Sequence, residues 1–164
     1  TIVFGTLQLL DPANDDRVYK SNQFRLDEKW LAQYTRRHRA LYDLKLEQSE
    51  VLKQLTQLIV YGFDCGFGGG YDPPTAKKME GYVEHADLKS LGAWLRQASP
   101  ELQAYGATGL LQLQRKGSTI PPDDLAIIDH LKRKNTEIYS CSGCIFGMTT
   151  PLSLLLTQRL DREP

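Results

Sequence analysis

The chain has 164 residues, enough for one ordinary domain with a core of its own. Hydrophobic residues make up 41% and charged residues 24%, the balance of a folded protein rather than a disordered one. Twenty Lys and Arg against twenty Asp and Glu leave no formal charge, which argues against a dedicated nucleic-acid binder.

Residues 1–26 read as an irregular amino-terminal arm, with a turn cluster at Asp11-Pro12-Ala13-Asn14-Asp15-Asp16. The acidic spacing there does not match a calcium loop. From Asp27 apolar residues recur at three- and four-residue steps: Trp30, Leu31, Tyr34, Leu41, Leu44, Val51, Leu52, Leu55, Leu58 and Ile59. This predicts a long amphipathic helix over 27–61, or two joined near Gln48-Ser49. Arg36-Arg37-His38-Arg39 is the one basic cluster, and it reads as a solvated face with His38 exposed. Gly62 to Pro74 is glycine-rich and closes with two prolines, so it reads as a tight aromatic-studded loop. A helix follows over about 75–85, and Asp87 caps another carrying Leu88, Leu91, Trp94 and Leu95.

Ser99-Pro100-Glu101 is a strong helix start, so residues 87–117 are expected to form two antiparallel helices broken near Ser99. Pro121-Pro122-Asp123-Asp124 opens a further helix, where the two carboxylates read as caps. Ser140 to Gly147 reads as a second cysteine-bearing loop, and Pro151 to Arg159 as a short terminal helix. No apolar run approaches the roughly 20 residues that a membrane-spanning helix needs.

The stretch 88–113 resembles a HEAT repeat. Leu88, Leu91, Trp94 and Leu95 form its apolar first helix, Ser99-Pro100-Glu101 the turn, and Ala104, Ala107, Leu110 and Leu113 the second helix. Gly106, Ala107 and Gly109 would let the two helices approach closely. Gln103 stands where many HEAT repeats carry Arg. The resemblance covers one unit, and it implies a helical scaffold that binds a partner on a concave face. The expected fold is therefore all-α: a single domain over 1–164, built as a small helical bundle or a short HEAT-like array. It has one long amino-terminal helix, with helix pairs over 75–160.

Cys65, Cys141 and Cys144 are the only cysteines, and each lies in a glycine-containing loop. A disulfide from Cys65 to one member of the Cys141/Cys144 pair is the favoured reading; zinc, a redox pair and free thiols compete with it. No catalytic constellation, cofactor or stoichiometric metal is expected, since no nucleophile elbow or paired-histidine motif occurs. The favoured function is a non-enzymatic protein- or peptide-interaction module. A second reading is a small-ligand binder or enzyme whose pocket is walled by Phe63, Phe67, Tyr71, Tyr139 and Phe146 at the cysteine loops. A third is a structural component of an exported assembly. A disulfide would favour an extracytoplasmic location.

Overall fold

A computed structural model of the chain describes residues 5–11, 14–24, 28–66, 70–143 and 145–158. It opens with an antiparallel hairpin, β1 (Gly5–Asp11) against β2 (Asn14–Phe24). Helices α1 (Glu28–Tyr42) and α2 (Gln48–Thr56) follow, then β3 (Tyr61–Cys65) and α3 (Pro74–Glu84). Next come α4 (Leu88–Leu95), α5 (Pro100–Arg115) and α6 (Pro122–Arg133). The chain finishes with β4 (Glu137–Gly143), β5 (Ile145–Pro151) and α7 (Leu152–Gln158). No helix among the described residues is long and apolar enough to cross a membrane.

Three expectations are corrected here. The fold is mixed rather than all-α, though mostly helical: β3, β4 and β5 form a three-stranded sheet. Residues 5–24 form a hairpin rather than an irregular arm, while residues 1–4, 12 and 13 lie outside the described residues. Over 27–61 the chain takes the two-helix alternative rather than one long helix, with an irregular link at 43–47, and the second helix stops at Thr56. Asp43 ends α1 in the left-handed region, at φ 49°, so the chain turns away before the apolar pattern resumes.

The centre of the core is α5. Every residue from Gln103 to Leu111 is buried, so this helix is enclosed on all sides rather than on one stripe. Its start follows the sequence signal: the Ser99 side chain accepts from the Leu102 N–H at 3.3 Å, with Pro100 at the first position and Glu101 in the first turn. Helix α4, capped by the Asp87 side chain on the Ser90 N–H at 2.9 Å, runs back along α5. Leu95 lies beside Gly106, and Leu91 beside Gly106 and Gly109, the antiparallel order expected across a break near Ser99. Around this pair close Met79 and Val83 of α3, Ile127, Ile128 and Leu131 of α6, and Leu152 and Leu156 of α7.

Helices α1 and α2 make a second, smaller cluster with Leu31, Val51 and Ala98 at its centre. Polar groups fasten it to the α4–α5 turn. Gln54 donates to the Gln97 side chain at 2.6 Å and accepts from the Ala98 N–H at 2.7 Å. The Tyr34 hydroxyl donates to the Ala98 carbonyl at 3.3 Å. Each bond satisfies a turn group that burial would otherwise leave unpaired.

In the sheet, β3 pairs in parallel with β4, and β4 pairs antiparallel with β5. The parallel pair brings Gly62 beside Cys141, and Cys65 and Cys141 are disulfide-bonded with their Cα atoms 5.7 Å apart. Gly62 has to be glycine. A side chain there would place its Cβ 2.5 Å from the Cys141 carbonyl oxygen and 2.9 Å from the Cys65 sulfur. The outer edge of β3 is closed within the chain by three groups. Cys65 and Tyr71 exchange backbone bonds at 2.7 and 2.9 Å, the Asp64 N–H donates to Asp72 at 2.7 Å, and the Gly62 N–H donates to the Tyr105 hydroxyl at 3.0 Å.

Candidate functional site

Of the aromatics that the second reading places around a pocket, the side chains of Phe63, Tyr71 and Tyr139 are described. Phe63 turns into the core, edge-on to Tyr61 and Tyr105 at centroid distances of 5.8 and 5.7 Å. Tyr71 and Tyr139 are exposed, and the Tyr139 N–H donates to Glu101 at 3.3 Å. Phe146 takes its place in β5 opposite Cys141. Phe67 and Cys144 lie outside the described residues. Cys65 and Cys141 are fully or nearly buried and bonded to each other, so neither is available as a thiolate ligand for zinc.

Concave surface lies between α1, α4 and α6. Two depressions of about 370 and 280 Å³ adjoin there, and both are bordered by Arg96 and Asp123. The larger is walled by Leu41, Tyr42, Ala126, Ile127 and His130; the smaller lies over Leu88, Gly92 and Ala93. Neither is lined by a residue of the cysteine loops. The groove exists because small residues stand where helices face one another. Gly92 and Ala93 on α4 and Ala126 on α6 have no side chain long enough to fill the gap. Leu41, placed by its spacing on the apolar seam of α1, is instead 56% exposed at the groove rim.

Beneath the groove lies an ion pair. Asp124 is buried, and its carboxylate is held by the Arg96 guanidinium, which also donates to the Gly92 carbonyl at 3.0 Å. The expectation that both aspartates cap α6 is corrected: that helix has no side-chain cap, and Asp124 serves Arg96. Absence of a side chain at Gly92 makes room for the pair, since a Cβ there would sit 3.2 Å from the nearer Asp124 oxygen. A buried carboxylate needs such a partner to offset its desolvation. Because Asp124 neutralises Arg96, the open charges of the groove are Asp43 at the larger depression, Lys89 at the smaller and Asp123 at both. Among the described residues, none of these three belongs to an ion pair.

The groove floor continues into α1 as a ladder of rings. Trp30, Tyr34, His38 and Tyr42 recur every fourth residue, with successive centroids 5.1, 6.1 and 4.7 Å apart, and Tyr42 meets the His130 ring edge-on at 6.2 Å. Four-residue spacing puts all four on one helix face. His38 is therefore buried at 3% exposure, not solvated among the arginines, while Arg36, Arg37 and Arg39 are exposed. Its Nε2–H donates to the Gln97 carbonyl at 3.1 Å, which leaves Nδ1 buried without a partner. Burial pushes its pKa below the ordinary 6.5, opposed by that hydrogen bond and reinforced by the Lys134 charge. Burial likewise raises the Tyr34 phenol to about 12.

This sets a pH dependence. With the folded value lowered, the unfolded chain binds the proton more readily, so the His38 contribution is complete above 6.5. It is lost as pH falls from there towards the folded value. Urea melts of the parent at descending pH are expected to show declining midpoints, with a smaller decline in His38→Gln. Equal slopes in the two proteins would show that His38 titrates normally.

The sequence singled out none of Asp43, Gly92, Ala93, Arg96 or Ala126 as binding residues. One legible signal was the ring spacing along α1; the small residues carry no motif. No known protein family, curated protein or solved structure shows significant similarity to this chain.

Proposed function

We propose that the chain is a protein- or peptide-interaction module whose partner segment lies in the groove between α1, α4 and α6. The carrying observation is the floor itself: Gly92, Ala93 and Ala126 leave two adjoining depressions walled by Leu41, Leu88 and Ile127. An elongated, open surface of this kind fits a stretch of polypeptide laid across helices, with side chains dropped into successive depressions. The HEAT resemblance of α4 and α5 points the same way, since it implies a scaffold that presents a concave face. A chemical role is less well supported, because the guanidinium at the centre of the groove is already engaged by Asp124. The Cys65–Cys141 disulfide supports an extracytoplasmic location, where oxidising conditions maintain such bonds.

The test is to fill the groove without disturbing the fold. Ala93 and Ala126 are exposed helical positions, and glutamine is a good helix former. Ala93→Gln and Ala126→Gln are expected to leave thermal melts unchanged. Each should weaken binding of peptides selected on the parent from a displayed random library by about tenfold, equivalent to ~1.4 kcal/mol. Undiminished binding by both variants would reject the groove as the binding surface.

A further inference from the structure

We infer that the segment this groove accepts is apolar and basic: a large apolar side chain beside a lysine or arginine that settles between Asp43 and Asp123. This rests on the reading of the groove as a peptide site and adds the chemistry of its occupant.

The larger depression is built for one apolar anchor. Leu41, Ala126, Ile127 and the Tyr42 ring supply its walls, and about 370 Å³ is ample for a leucine or aromatic side chain. Two carboxylates border that same depression from different helices, Asp43 just past the end of α1 and Asp123 in the first turn of α6. Both are exposed, and no cation within the described chain neutralises either. Their unbalanced charge is local, because the chain as a whole is neutral. Arg96, which borders the same depression, adds little to compensate, since it is paired with Asp124. A bound segment with a cation next to its anchor gains attraction to both carboxylates, whereas an acidic segment meets repulsion from both.

The opposite end gives the occupant a direction. Lys89 borders the smaller depression about two turns of α4 before Arg96, and Asp123 borders both depressions. Asp43 borders only the larger depression and Lys89 only the smaller, so the basic residue of the partner belongs at the larger. Charge at a groove rim sets orientation and partner choice more than total affinity, which comes from the buried anchor.

A displayed random-peptide library panned against the full chain provides the test. Selected peptides are expected to carry Lys or Arg next to a large apolar residue. A fluorescent copy of one such peptide, followed by anisotropy, should lose about tenfold in affinity on the Asp43→Asn/Asp123→Asn double variant, with a flatter salt dependence. Asparagine suits both positions, because it matches aspartate in size without the charge and tolerates the left-handed backbone at Asp43. Glu84→Gln, on α3 away from the groove, should bind as the parent does. Selected peptides without basic residues, or equal affinity in the double variant, would overturn the charge assignment. If Ala126→Gln still abolished binding in that case, the groove would stand with a different occupant. If no peptide bound, or if Ala93→Gln and Ala126→Gln bound normally, the groove reading itself would fall.

Discussion

Replacing Cys65 and Cys141 together with alanine is expected to lower stability by about 4 kcal/mol. The two residues are 76 positions apart, and the loop they close holds α3, α4, α5 and α6. Without the bond, the unfolded chain recovers the freedom of that whole loop, and the entropy of long-loop closure sets the size of the effect. The native side gains nothing to offset this. Both sulfurs lie in the interior beside Gly62, so alanine leaves small gaps there and no new contact. The loss should be felt first in the sheet, because β3 joins β4 by only a short parallel run between distant parts of the chain. A shift in melting temperature of roughly 10 °C follows for a chain of this size. Urea melts of the parent and the double variant measure the difference directly. Coincident midpoints would show that the bond contributes nothing net and would weaken the case for an oxidising compartment.

That disulfide was legible in part, from the parity and loop placement of three cysteines, while the strands that carry it were not. The reason is local and physical. Residues 61–65 contain a glycine and an aspartate and sit just before a glycine run, the composition of a loop. What makes them a strand is a partner near residue 140, which no window of the sequence contains. In β4 the alternation that would reveal a strand is broken by a register shift between Ser140 and Cys141, so two successive residues face inward. Helix starts were easier, because their signals are contiguous: Asp87 and Ser99 cap as their neighbours predicted. The groove is the hardest feature to read, since it is made of missing side chains at Gly92, Ala93 and Ala126 and of helix ends far apart in sequence. His38 shows a signal read at the wrong scale. Its arginine neighbours suggested solvent, yet its spacing from Trp30, Tyr34 and Tyr42 placed it inside.

Gly106→Ala is expected to destabilise the protein by about 2–3 kcal/mol, although alanine is the better helix former by about 1 kcal/mol. An added methyl carbon at Gly106 would lie 2.5 Å from the Leu95 nitrogen, 2.7 Å from the Leu91 carbonyl oxygen and 3.0 Å from the Leu95 Cα. All three are backbone atoms of α4, so no rotamer change relieves the clash and the helix itself has to move. Its freedom to move is limited. Arg96 beyond its end is tied to Asp124 of α6, and the turn at Gln97 and Ala98 is bonded to Gln54. Displacing α4 therefore strains the pair beneath the groove, and peptide affinity should fall along with stability. Two other glycines provide the scale. Gly109 would meet the flexible ends of Leu91 and Met79 rather than backbone, so Gly109→Ala should cost less than Gly106→Ala. Gly81 in α3 has nothing within 4 Å of an added carbon, so Gly81→Ala should stabilise by about 0.5–1 kcal/mol through helix propensity alone. Chemical denaturation of the three variants should rank them Gly81→Ala above Gly109→Ala above Gly106→Ala. A Gly106→Ala protein as stable as the parent would mean that α4 and α5 do not touch backbone to backbone, and that the groove floor at Gly92 and Ala93 is not held in place by their contact.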